Sequence, residues 1–162
     1  MASTVTFIEY LSSETTTATP TQLDLVSTVA ANASRSTYPV SVGNYSQTKA
    51  FKIRFDGTFT NVSQVKLYKS DGAYLTGETI AYGVSSSYHV PTGGAYEDSV
   101  ADTAIPTSLP ATANVTIGGD LGGTITGSGA TDFVYLQSSV TIQAISATAN
   151  SKTLTVTWTE VA

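Results

Sequence analysis

The stretch Lys152-Thr-Leu-Thr-Val-Thr-Trp-Thr-Glu-Val161 decides the fold class. Leu154, Val156 and Trp158 share one parity, and Thr153, Thr155, Thr157 and Thr159 share the other. Successive side chains of a strand point to opposite faces, so this alternation predicts a β-strand with one buried face. Threonine suits the other face, because its β-branch favours extended backbone without adding charge.

The same chemistry runs through the chain. Serine and threonine make up roughly 30% of the 162 residues, and there is no cysteine. Disulfides and thiolate metal sites are therefore excluded. Only 12% of residues are charged, against about 25% in ordinary soluble domains. A surface so poor in charge and rich in strand formers invites pairing between strand edges, which points to burial in an assembly. Seven basic residues at a net charge of −5 do not form the cationic footprint that nucleic acid or an anionic membrane requires. The first residues lack the basic and apolar regions of a signal peptide, and no apolar run approaches the roughly 20 residues of a membrane helix.

Working back from the last strand, Ala50-Phe-Lys-Ile-Arg-Phe55 alternates with Phe51, Ile53 and Phe55 inward. Val65-Lys-Leu-Tyr-Lys69 follows with Leu67 inward, and Ser70-Asp-Gly72 predicts a hairpin onto Ala73–Leu75. Thr4–Leu11, Tyr38–Val42, Ile80–Val84, Asn114–Ile117, Gly123–Ile125 and Asp132–Ile142 read as further strands. Gln22–Ala33 carries both helical and strand spacing and is assigned as strand by context. Val140–Ile142 is expected to pair with Lys152-Thr153 as a C-terminal hairpin. Eight or nine short strands with turn signals between them predict an all-β chain: a two-sheet antiparallel β-sandwich. Residues 1–21 read as an N-terminal strand and extended arm, and 22–162 as the sandwich domain. Residues 85–113, with Pro91, Pro106, Pro110 and Gly93-Gly94, read as a long loop. The expected core is Phe51, Ile53, Phe55, Leu67, Leu154, Val156 and Trp158.

No catalytic, cofactor-binding or metal-binding residues are expected, and no enzyme. His89 is the one histidine and lies in no nucleophile motif, whereas zinc needs three or four ligands. Glu97, Asp98 and Asp102 have the oxygen chemistry for Ca²⁺ but match no calcium-loop spacing, and read as a solvated acidic loop. Gly118-Gly-Asp-Leu-Gly-Gly123 lacks the lysine of a phosphate loop and reads as a flexible turn. Asn32, Asn44, Asn61 and Asn114 head N-x-Ser/Thr triplets that abundant hydroxyl residues produce by chance. Tyrosines are favoured at interfaces, so Tyr82, Tyr88, His89 and Tyr96 form the candidate interaction loop.

Tyr38-Pro-Val-Ser-Val-Gly-Asn-Tyr-Ser, Ala50–Phe55, Val65–Ser70, Asp71-Gly-Ala-Tyr-Leu-Thr-Gly-Glu-Thr-Ile80 and the strands Asp132–Gln137 and Thr153–Thr159 together resemble poorly characterised virion structural proteins of tailed bacteriophages. The resemblance spans about residues 38–162 and rests on strands and turns. It implies an immunoglobulin-like or jelly-roll sandwich serving as a virion building block: a capsid decoration or cement protein, or else a neck, tail or fibre component. Expected partners are further copies of the chain, as a homo-oligomer, and the major capsid or tail proteins. A carbohydrate-binding sandwich using the 85–113 loop is the alternative from another class. The uncharged Thr153–Thr159 face, or the edge beside it, is expected to lie near another subunit.

Overall fold

The spine of the larger sheet is a strand whose alternate residues are all buried. Lys49, Phe51, Ile53 and Phe55 point inward from β3, Lys49–Asp56, while Lys52 and Arg54 are half-buried on the other side. The computed structural model describes residues 3–142 and 151–162. Those residues form nine strands and no helix: β1 Thr4–Tyr10, β2 Thr17–Ala18, β3, β4 Asn61–Asp71, β5 Glu78–Ser85, β6 Thr103–Ala104, β7 Gly129–Ala130, β8 Phe133–Val140 and β9 Thr153–Val161. The chain is an all-β, two-sheet antiparallel sandwich. One sheet runs β2-β1-β3-β8-β5-β6 with β7 also on β3, and the other is β4-β9.

The inner face of the large sheet meets β4 and β9. Phe51, Ile53, Phe55, Ile80, Val134 and Leu136 pack with Val62, Val65 and Leu67, and all are buried. Leu154, Val156 and Trp158 pack against this core but stay half-buried, Trp158 edge-on to Phe55 with ring centroids 5.4 Å apart. They cap one margin of the core and do not form its centre.

Several expected pairings differ. β8 lies between β3 and β5, so both its edges are used, and it has none to offer β9. The expected C-terminal hairpin is replaced by a β4–β9 ladder in the other sheet; residues 143–150 of the connection lie outside the described residues. Likewise no Val65–Leu75 hairpin forms. β4 has β9 on one side, and on the other it bonds a distant segment through Ile125, Asn114 and Pro106. Asn114–Ile117 and Gly123–Ile125 are not strands; they contribute the isolated bridges Ile117–Asp120 and Val62–Ile125. Tyr38–Val42 is irregular.

Gln22–Ala33 is irregular too, because its polar groups serve other bonds. Buried Asp24 accepts from Gln22 Nε2 at 2.9 Å and Arg35 Nε at 3.1 Å. The carbonyls of Val29 and Ala30 accept from Lys49 Nζ at 3.1 and 2.8 Å. The expected N-terminal strand forms: Thr4–Tyr10 pairs along its length with β3, and β2 pairs with the end of β1. Residues 1–2 lie outside the described residues.

Candidate functional site

Residues 86–101 are folded flat on the outer face of the large sheet. β8 explains why: Phe133, Tyr135 and Gln137 alternate outward, yet all three are buried. Phe133 meets Tyr10 and Tyr88 with ring centroids 4.9 and 5.5 Å away, and Lys52 Nζ sits 4.0 Å over the same ring. With Ala50, Ala101 and Tyr135 these side chains make a second, smaller core. A central strand buried on both faces accounts for the nearly continuous apolar run Phe133–Leu136.

Two polar side chains anchor the covering segment. The Asp98 carboxylate accepts from Val100 N at 2.8 Å, Thr92 Oγ1 at 2.9 Å and Thr48 Oγ1 at 3.0 Å. Burial alone would raise its pKa, but these donors together outweigh burial and hold the carboxyl below its usual range. Gln137 accepts from Asp98 N at 2.8 Å and donates to Ser46 O and Tyr96 O at 3.0 and 3.1 Å. Gly83 lets the segment lie close, since a Cβ there would collide with the Val100 carbonyl.

Of the four candidate residues, Tyr82 and His89 line one groove, and Tyr88 and Tyr96 do not. Tyr82 is on β5, on the inner face opposite Leu136, and its hydroxyl accepts from Asn114 Nδ2 at 3.2 Å. Tyr88 is half-buried and donates to Leu11 O at 3.0 Å. His89 and Tyr96 are exposed, Tyr96 at 75%. His89 gives its backbone N–H to the Tyr135 hydroxyl at 2.7 Å. Burial, the main cause, pushes the Tyr135 phenol up to about 12.

An open groove of about 480 Å³ lies beside these residues, lined by Tyr82, Ser85, His89, Ser99, Asp102 and Asn114 among others. Ser85 Oγ and His89 Nε2 are 3.0 Å apart. Two members of a Ser-His-acid arrangement are thus adjacent, but Asp102 Oδ1 accepts from Thr103 Oγ1 at 3.0 Å, and no described carboxylate is bonded to His89. Among the described residues no group of three or more His, Asp or Glu side chains could hold a metal ion. What the groove offers is hydrogen bonding.

The chain matches no protein-family model, no curated protein and no solved structure.

In three places side chains gained roles that their local sequence does not signal. Asn114, which heads an N-x-Thr triplet, accepts from Leu67 N and donates to Leu67 O, both at 2.8 Å, as a neighbouring strand would. Asp132 accepts from Gly118 N and Gly119 N at 3.2 and 2.7 Å and pins the glycine turn, where φ is +63° and +84°. Lys49 and Glu9 pair at 3.0 Å in the interior, each side chain 1% exposed. In all three the partner is far away in sequence; alternation at Lys49 was the available signal, since it shares the parity of Phe51.

Proposed function

We propose that this chain is a structural protein of a tailed-bacteriophage virion, a capsid decoration or cement protein that works by holding neighbouring subunits. The observation that supports the reading is the use made of side chains capable of chemistry. Asp98, Asp132, Asn114, Gln137 and Lys49 all bond to backbone, and by doing so they fix long irregular segments on a rigid sandwich. Fixed loops suit a part whose task is contact. Val90 and Tyr96 stand 66% and 75% exposed on the loop, as apolar and aromatic contacts for an adjoining subunit. The partners would be further copies of the chain and the capsid or tail proteins, and its place the virion.

Electron microscopy of the native particle tests this. Density for a nine-strand sandwich on the outer surface of the head is expected. Density at the neck, tail or fibre would move the chain to that alternative role, and its absence from the particle would overturn the proposal. The carbohydrate-binding alternative is left with Tyr96 of its two tyrosines, because Tyr88 is committed to Leu11.

A further inference from the structure

β4 and β9 make a two-stranded sheet, and among the described residues only one of its outer edges is closed. On the far side of β4, Val62 N donates to Ile125 O at 2.9 Å, Leu67 N to Asn114 Oδ1 at 2.8 Å and Lys69 N to Pro106 O at 2.8 Å. In an antiparallel ladder, residues opposite each other turn their backbone groups either both inward or both outward. The partners of Val62, Leu67 and Lys69 are Glu160, Val156 and Leu154. These three therefore turn their N–H and C=O groups to the open side, where no strand of the described residues pairs with them.

The sequence of that edge is self-complementary about Val156. Reading outward in both directions, Thr155 and Thr157 match, then Leu154 and Trp158, then Thr153 and Thr159, then Lys152 and Glu160. An antiparallel partner of the same sequence, centred on Val156, would place threonine opposite threonine on one face. It would place apolar residues opposite apolar residues on the other, while Lys152 and Glu160 at the ends keep their bonds to Glu78 and Ser3 within each chain. It also sets outward-turned residues against outward-turned residues, as the hydrogen bonds require. Sliding the register by two residues sets Glu160 opposite Leu154, or Lys152 opposite Trp158, and loses the match.

We infer that β9 pairs with β9 of a second copy about a twofold axis at Val156, joining two β4–β9 sheets into one of four strands. This names the partner at one edge of the assembly reading, but it stands on the strand itself. Such an isologous contact repeats every pair of contacts twice.

The chain has no cysteine, so cross-linking is free of background. Thr155 of one copy would face Thr157 of the other at a pair not bridged by backbone bonds, where Cα atoms lie about 4.5 Å apart, within disulfide range. Mixed Thr155→Cys and Thr157→Cys proteins should oxidise to the mixed dimer at least tenfold faster than either does alone. Sedimentation should show a concentration-dependent dimer. The Thr155→Lys/Thr157→Lys variant, which sets cations opposite cations, should be monomeric and still unfold cooperatively, at a lower temperature because Thr157 also faces Lys66 and Thr155 bonds Ser70. A chain monomeric at all concentrations, no preference for the mixed disulfide, or a dimer indifferent to the lysines would each overturn the inference. A lysine variant that fails to fold leaves the disulfide preference to decide. A monomer found on the head of the particle would overturn this pairing and leave the decoration role standing; a dimer absent from the particle would do the reverse.

Discussion

Glu9 and Lys49 carry opposite charges on the inner face of the large sheet, at the end where Val29 and Ala30 cover it. Lys49 Nζ is satisfied by two carbonyls and the carboxylate, but neither Glu9 oxygen accepts a hydrogen bond of good geometry. Burial, the larger effect, raises the Glu9 pKa, Lys49 opposes it, and the charge of Asp24 adds to it. The pair is an expensive way to hold residues 22–35, since desolvating two ions offsets most of their attraction. Removing one charge is worse than removing both. Lys49→Met is expected to cost about 3–5 kcal/mol in urea unfolding. Glu9→Leu with Lys49→Met should recover at least half of that; a double variant no more stable than the single one would contradict this account.

At the scale of elements, the covering segment 86–101 behaves as a third layer. Val100 of this segment lies directly over Gly83. A methyl group at Gly83 has backbone on its path, not a side chain able to swing away. Gly83→Ala should therefore cost about 3 kcal/mol, at the upper end of overpacking effects. It should also speed amide exchange at Val100 and Ala101 while leaving β3 protected, whereas wild-type exchange would refute the close contact. Much of this layer was hidden from sequence reading. Phe51, Ile53 and Phe55 could be assigned inward because alternation against Lys52 and Arg54 reports which face is wet. β8 could be placed centrally because its apolar run needs cover on both sides. Which segment supplies the cover could not be read, since Asp98 looks like any loop acid until its donors from Thr48, Thr92 and Val100 are known. For the same reason β9 was assigned to β8, its neighbour along the chain. Strand pairing depends on which edges remain open, and that is a property of the finished sheet. Of the candidate loop, exposure at His89 and Tyr96 could be anticipated from the polar context. The inward turn of Tyr82 and the anchoring of Tyr88 depend on Asn114 and Leu11.

For the molecule as a whole, Glu9 and Asp98 give stability two opposite pH dependences. The Asp98 pKa is lowered on folding, so its contribution is present above the ordinary aspartate value of about 3.9 and is lost as pH falls through the folded value. The Glu9 pKa is raised, so folding favours its protonated form, and stability falls as pH rises from about 4.3 through the folded value. Unfolding midpoints measured against pH should therefore rise and then decline across the carboxylate range. Asp98→Asn should flatten the rise and Glu9→Gln the decline; swapped or absent effects would show that other carboxylates dominate. The β4–β9 sheet carries a further implication, for the order of events during synthesis. Residues 72–152 separate its two strands, so everything through β8 leaves the ribosome before β9 can dock. Until then β4 lacks its ladder partner and one flank of the core is uncovered. The edge proposed to recruit a second copy does not exist on a nascent chain; it is created by the step that closes the core, so association is confined to subunits that have finished folding.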